Sequence, residues 1–149
     1  MNKERSRKII KNVGMDLLRE GRTIRIKAHG YSMYPAIKPG AVLIIEPVSI
    51  KGKPVVGEIL AIKRENGLVV HRLVEIAMKN GTEHFITRGD SNAFPDNPVK
   101  IEMIAGRITG SEFTGSKSSA DIRIRKSPAF VLNRLRVIWI ILLNKIRKL

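Results

Sequence analysis

The stretch ILAIKRENGLVVHRLVEI, residues 59–76, holds two aliphatic runs on either side of a Glu-Asn-Gly tripeptide. Ile, Val and Leu suit a pleated, half-buried surface. Asn-Gly tolerates positive φ at the centre of a tight turn, so residues 65–67 read as a hairpin turn joining two strands. The same texture recurs outward from it, in TIRIKA (23–28), AVLIIEP (41–47), HFITRG (84–89) and EMIAGRIT (102–109). With EILAIKR (58–64) and GLVVHRLVEI (67–76) this makes six short strands, separated by Gly, Pro, Asn and Lys-rich turns. No helix-length period lies between them. The pattern predicts a compact, mostly-β domain over residues 23–113.

Both ends read as basic amphipathic helices. In the first, residues 1–22, Ile9, Ile10, Val13 and Leu17 share one face and Gly21 offers a stop. Residues 114–126, opening with TGSKSSAD, read as a linker. The last unit is 127–149, where Ser127-Pro128 resembles an N-cap followed by Pro at the first helical position. The spacing predicts a helix over Pro128–Leu149. Val131, Leu132, Leu135, Ile138, Trp139, Leu142 and Ile146 form its broad apolar face, with Arg134, Arg136, Lys145, Arg147 and Lys148 away from the centre. Such a helix suits an anionic membrane surface, a partner, or its own domain.

Charge follows the same partition. The 149 residues carry a net +15, but residues 28–116 contribute only +1, against +6 in 1–27 and +8 in 117–149. A nucleic-acid binder would favour a basic stripe across the folded core together with aromatics, and aromatics are 5% here. Nucleic acid is therefore the weakest partner reading. The chain has no Cys, which excludes thiol nucleophiles, Cys-ligated metals and disulfides. Residues 1–14 lack the apolar core of a secretory signal, and no apolar run reaches spanning length. The expected location is cytoplasmic, or peripheral at a membrane surface. The three histidines, His29, His71 and His84, lack ligand spacing, so no metal or other cofactor is expected.

Three segments can carry chemistry. In GYSMYPAIKPG (30–40), Ser32 follows a strand and sits in a turn fixed by Gly and Pro, where a hydroxyl is exposed and constrained. Ser in such a turn is equally a cap or turn residue. His71 sits in an apolar strand, with Val69 and His71 on one side and Leu68 and Val70 on the other. Imidazole titrates near neutral pH and can take a hydroxyl proton and return it to a leaving amine. In RGDSNAFPD (88–96), Asp90 and Asp96 are both candidates to orient that histidine, or are turn carboxylates. Lys27 and Lys63 are weaker candidate bases.

Taken in order, GYSMYPAIKPG, the Gly-Glu-Ile start at 57–59, VVHRLVEI (69–76) and FITRGDSNAFPD (85–96) resemble the signal peptidase I family and the related LexA-type self-cleaving peptidases. The likeness covers residues 24–110. His71 stands where the bacterial branch has Lys, as in the archaeal and endoplasmic-reticulum branch. The resemblance implies a signal peptidase/LexA-like β domain and a serine endopeptidase. It implies Ser32 as nucleophile, His71 as general base, Asp96 as orienting carboxylate and Asp90 as support. It also implies Gly30, Tyr31, Met33 and Pro35 around a peptide bound as an added strand, with a signal or leader peptide as substrate. Gly30 occupies a place where many signal peptidases carry an oxyanion-binding Ser, and Ala41 and Glu58 replace Asp residues of the family. The family's spanning helix before the serine is replaced by a charged amphipathic one. The rival expectations are a LexA-like self-cleaving peptidase and a non-catalytic membrane- or peptide-binding module on the same fold.

Overall fold

Each of the six aliphatic runs forms a strand. A computed structural model describes residues 13–50, 52–65, 67–113, 116–118 and 128–147. The strands are β1 (Ile24–Lys27), β2 (Val42–Pro47), β3 (Ile59–Arg64), β4 (Gly67–Lys79), β5 (Thr82–Arg88), β6 (Ile104–Phe113) and a short β7 (Ser116–Ser118). Helix α1 covers residues 13–19 and α2 covers Phe130–Ile146. The sheet is antiparallel throughout, in the order β1-β2-β6-β3-β4-β5, with β7 paired to β6. The fold is mostly β with a helix at each end.

β6 is the hub. Its first half pairs with β3, from Ile62↔Ile104 to Leu60↔Arg107, and most of its length pairs with β2, from Pro47↔Gly106 to Val42↔Glu112. At Gly106 any side chain would meet the Glu46 carbonyl, only 2.5 Å from an added Cβ. β3 and β4 form the hairpin expected around residues 65–67, closing on the pair Arg64↔Gly67.

β3 is buried on both faces, which explains its unbroken aliphatic run. Ile59 and Ala61 join one core cluster, with Leu43, Ile45 and Ile108. Leu60 and Ile62 join the other, with Leu73, Phe85 and Ile104. Each such Leu or Ile contributes about 1.5–3 kcal/mol by leaving water.

α1 adds Met15 and Leu18 to the first cluster. Its buried side overlaps the expected one only at Leu17, which packs against the same cluster. Val13 is exposed and Leu17 only half-buried, because Met15 and Leu18, three apart, face the sheet. Ile9 and Ile10 lie outside the described residues. Gly21 does end the helix: at φ 80° it donates to the Leu18 carbonyl while Arg22 donates to Leu17, the paired bonds of a Schellman cap.

The C-terminal part differs in two ways from its sequence reading. Residues 116–118 form β7 within the stretch read as linker, pairing Ser111↔Ser118 and Phe113↔Ser116. α2 begins at Phe130, with Ala129 as a cap residue that makes no side-chain bond, and Pro128 is buried just before it. Ser127 lies outside the described residues. Among the described residues, no helix is long and apolar enough to cross a membrane.

Candidate active site

The serine is held by a loop closed at its own base. Ala28 donates to the Ala41 carbonyl at 2.7 Å and Gly40 donates back to Ala28 at 2.9 Å. Gly30, at φ 81°, turns the chain just before Ser32. A helical turn follows, with Tyr34 N–H donating to Tyr31 and Ile37 N–H to Met33. Met33 and Ile37, four apart, are both buried in the first core cluster and anchor that turn. Ser32 is thus the residue immediately before a buried anchor.

The segment after β5 clamps the serine from the other side. Ser91 N–H donates to the Ser32 carbonyl at 2.9 Å, and Ser91 Oγ lies 2.6 Å from the Tyr31 carbonyl and 3.1 Å from that of Ser32. Gly89 passes so close that a Cβ there would stand 2.7 Å from the Ser32 carbonyl oxygen.

The two candidate carboxylates are divided between adjacent residues of β4. Side chains of successive strand residues point to opposite faces. His71 takes Asp96: its Nδ1 lies 2.6 Å from Asp96 Oδ2. Thr87 Oγ1 donates to the same oxygen at 2.7 Å, and Asp96 N–H donates to the Thr87 carbonyl. Arg72 takes Asp90 in a buried, two-pronged pair, with Nε to Oδ1 at 2.8 Å and Nη2 to Oδ2 at 2.7 Å. Its Nη1 donates to the Gly57 carbonyl. Asp90 therefore braces the loop and leaves the imidazole to Asp96.

Burial alone would push the Asp96 carboxyl up. The hydrogen bonds from His71 and Thr87, aided by the His71 and Arg64 charges, outweigh that and hold it below the usual carboxylate range. An ionised Asp96 fixes the Nδ1–H tautomer, which leaves Nε2 as the basic nitrogen.

Ser32 and His71 open into one cavity of about 430 Å³. Ile26, Met33, Ile37, Leu43, Leu68 and Val70 give it apolar walls, and Gly30, Lys27, His29 and Asn92 also border it. Ser32 Oγ and His71 are not hydrogen-bonded to each other; the bond the imidazole makes is to Asp96. Two strand edges flank the cavity. Among the described residues, β1 ends the sheet, and β5 pairs with β4 only from Arg72 onward, so residues 68–71 have no partner strand on that side.

Of the remaining sequence candidates, Tyr31 contributes its carbonyl to the Ser91 clamp, and Pro35 lies in the turn behind the serine, after a cis Tyr34–Pro35 bond. Neither borders the cavity. Lys63 is turned away, its Nζ donating to the Glu102 carbonyl. His84 sits near the β4–β5 turn beside the Thr82 carbonyl. Glu58 holds the turn before β3, accepting from Val55 N–H and from Arg107. No group of His, Asp or Glu among the described residues can hold a metal ion.

Sequence reasoning did not find Thr87, Ser91, Gly89 or Asn133. Asn133 is the buried residue of α2, and its Nδ2 donates to the Asp90 carbonyl at 3.0 Å. Beside it, the Arg88 guanidinium lies 3.8 Å over the Phe130 ring while donating to the Asn92 and Ala93 carbonyls. The only sequence signal was Asn133 itself, a polar residue opposite the broad apolar face. No protein-family model matches the chain, and a search of curated proteins finds no match.

Proposed function

We propose that the protein is a serine endopeptidase of the signal peptidase I kind, cutting an extended peptide such as a signal or leader sequence. The observation that carries this is the His71–Asp96 pair at 2.6 Å opening into the cavity that Ser32 borders. Ser32 Oγ attacks the peptide carbonyl and His71 Nε2 takes its proton, forming an acyl-enzyme. His71 then protonates the leaving amine, and water, deprotonated by His71, releases the acyl group. The Ser32 backbone N–H is the oxyanion donor at hand, since Gly30 supplies no hydroxyl. One such donor is worth roughly 10²–10³ in turnover.

The open edges of β1 and of β4 at residues 68–71 support strand-like binding of the substrate, because main-chain pairing would set the scissile bond in register. Apolar walls favour apolar side chains next to that bond. We assign the enzyme to the cytoplasm or to the membrane surface, held peripherally.

LexA-type regulators cut an Ala-Gly or similar bond in their own linker, and here Ala105-Gly106 lies in buried β6 between β2 and β3, which disfavours self-cleavage. The non-catalytic module draws on one observation, the missing hydrogen bond between Ser32 and His71. Labelling by a fluorophosphonate separates the two. Wild-type protein should label at Ser32, while Ser32→Ala and His71→Ala should lose labelling and keep the wild-type circular dichroism spectrum. Equal labelling of Ser32→Ala would overturn the mechanism, and an unreactive wild type would favour the binding module.

A further inference from the structure

We propose that α2 docks flat on an anionic membrane surface, through the face centred on Leu135, Leu142 and Ile146. Successive residues of an α-helix turn by about 100°, so α2 can be laid out around its axis. Ile138, Val131, Leu142, Leu135, Ile146, Trp139, Leu132 and Leu143 then fill one arc of roughly 140°. All eight are exposed, from Leu143 at 38% to Val131 at 72%. Opposite this arc is Asn133, which is 4% exposed and fastened to Asp90. The inward side holds Asn133 with the half-buried Phe130, Val137 and Ile140, and the exposed arc is turned away from the domain. A row of this size marks an interaction surface.

The margins of the arc identify the occupant. Arg134 and Lys145 run along one border, Arg136 and Arg147 along the other, all exposed. α2 contains no Asp or Glu. A second copy laid on this face would bring basic borders against basic borders. Anionic headgroups instead neutralise both while the arc enters the acyl boundary. Length fits an in-plane helix: 17 residues rise about 25 Å, short of the roughly 30 Å hydrocarbon core. Arg134 and Arg136 in its first half also oppose insertion. This surface is independent of the proposed peptidase chemistry and would stand if that chemistry failed.

Trp139, the sole tryptophan, lies on the arc and reports docking directly. The full chain should show a blue-shifted emission with vesicles of phosphatidylglycerol in phosphatidylcholine, and little shift with phosphatidylcholine alone. Salt should weaken the effect. Quenching should be stronger from lipids labelled near the headgroup than from lipids labelled at the chain ends. Arg136→Gln with Arg147→Gln should weaken partitioning roughly thirtyfold, about fivefold per charge. Leu135→Ser with Leu142→Ser should weaken it at least tenfold. These side chains are exposed, so the fold should persist, checked by an unchanged unfolding midpoint. No shift with anionic vesicles overturns the proposal. So does a shift without vesicles that grows with protein concentration, which assigns the face to a second copy. A shift produced by an acidic polypeptide and absent with vesicles assigns it to a protein partner, and deepest quenching from chain-end labels refutes the flat orientation.

Discussion

Gly89→Ala adds one methyl group behind Ser32, the proposed nucleophile. The new Cβ would stand 2.7 Å from the Ser32 carbonyl oxygen and 2.8 Å from Asn92 Cγ, where ordinary contact begins at 3.4 Å. The Asn92 side chain can swing aside. The Ser32 carbonyl has less freedom, because Ser91 N–H and Oγ both hold it. Gly89 is not among the positive-φ glycines, so alanine carries no backbone penalty and the effect is steric. Relief requires a shift of about 0.7 Å between the two backbones. A displacement near 1 Å at a reacting group costs on the order of 10²-fold, so fluorophosphonate labelling of Ser32 should fall between about tenfold and a hundredfold. Overpacking should remove about 1–3 kcal/mol, which lowers the unfolding midpoint by roughly 2–12 °C. Gly14→Ala is the control. Its Cβ would rest 3.5 Å from Ile24 Cδ1, in ordinary contact, within α1. It should be neutral or stabilise by up to about 1 kcal/mol, with labelling unchanged. A Gly89→Ala protein that labels and melts like wild type would refute the claim that this glycine sets the serine's position.

Asp96→Asn should slow Ser32 labelling by orders of magnitude, since the amide no longer selects the Nδ1–H tautomer. Because the folded Asp96 carboxyl lies below its usual range, its stabilising contribution is complete above the unfolded value of about 3.9 and disappears as pH falls through the lower folded value. Urea unfolding of wild type and variant should therefore converge as pH falls through the lower folded value of Asp96. Arg72→Met strands the buried Asp90 carboxylate and should cost about 3–5 kcal/mol, whereas Arg72→Met with Asp90→Leu should recover most of it in the same urea titration. Asn133→Ala leaves the Asp90 carbonyl without its side-chain donor and should cost about 1–3 kcal/mol. Hydrogen exchange should speed up in the first turn of α2, while vesicle binding through the opposite face persists.

The local features were legible because they rest on local chemistry. Aliphatic runs and their turn residues identify β1 to β6, and Gly21 marks the end of α1 through a backbone conformation that other residues adopt with strain. Ser32 and His71 were visible through residue type and neighbours. The helix faces were less readable. Val13 satisfied the apolar spacing yet is exposed, since burial depends on where the sheet lies relative to the helix. α2 starts two residues later than the Ser-Pro pair predicts, because Pro128 is buried before the helix.

By itself, the sequence determined a mostly-β domain, basic ends, and a short list of residues able to do acid–base and nucleophilic chemistry, because periodicity and side-chain type act within a few residues. Residue chemistry left the pairing open, the family resemblance pointed to Asp96, and the tertiary structure decided it. Asp90 and Asp96 are six residues apart and chemically alike, and only the opposed directions of His71 and Arg72 on β4 assign one to each. The same holds for α2: its amphipathic pattern admits three partners, and only the tertiary structure turns Asn133, with the half-buried Val137 and Ile140 beside it, towards the domain and leaves the broad apolar arc outward.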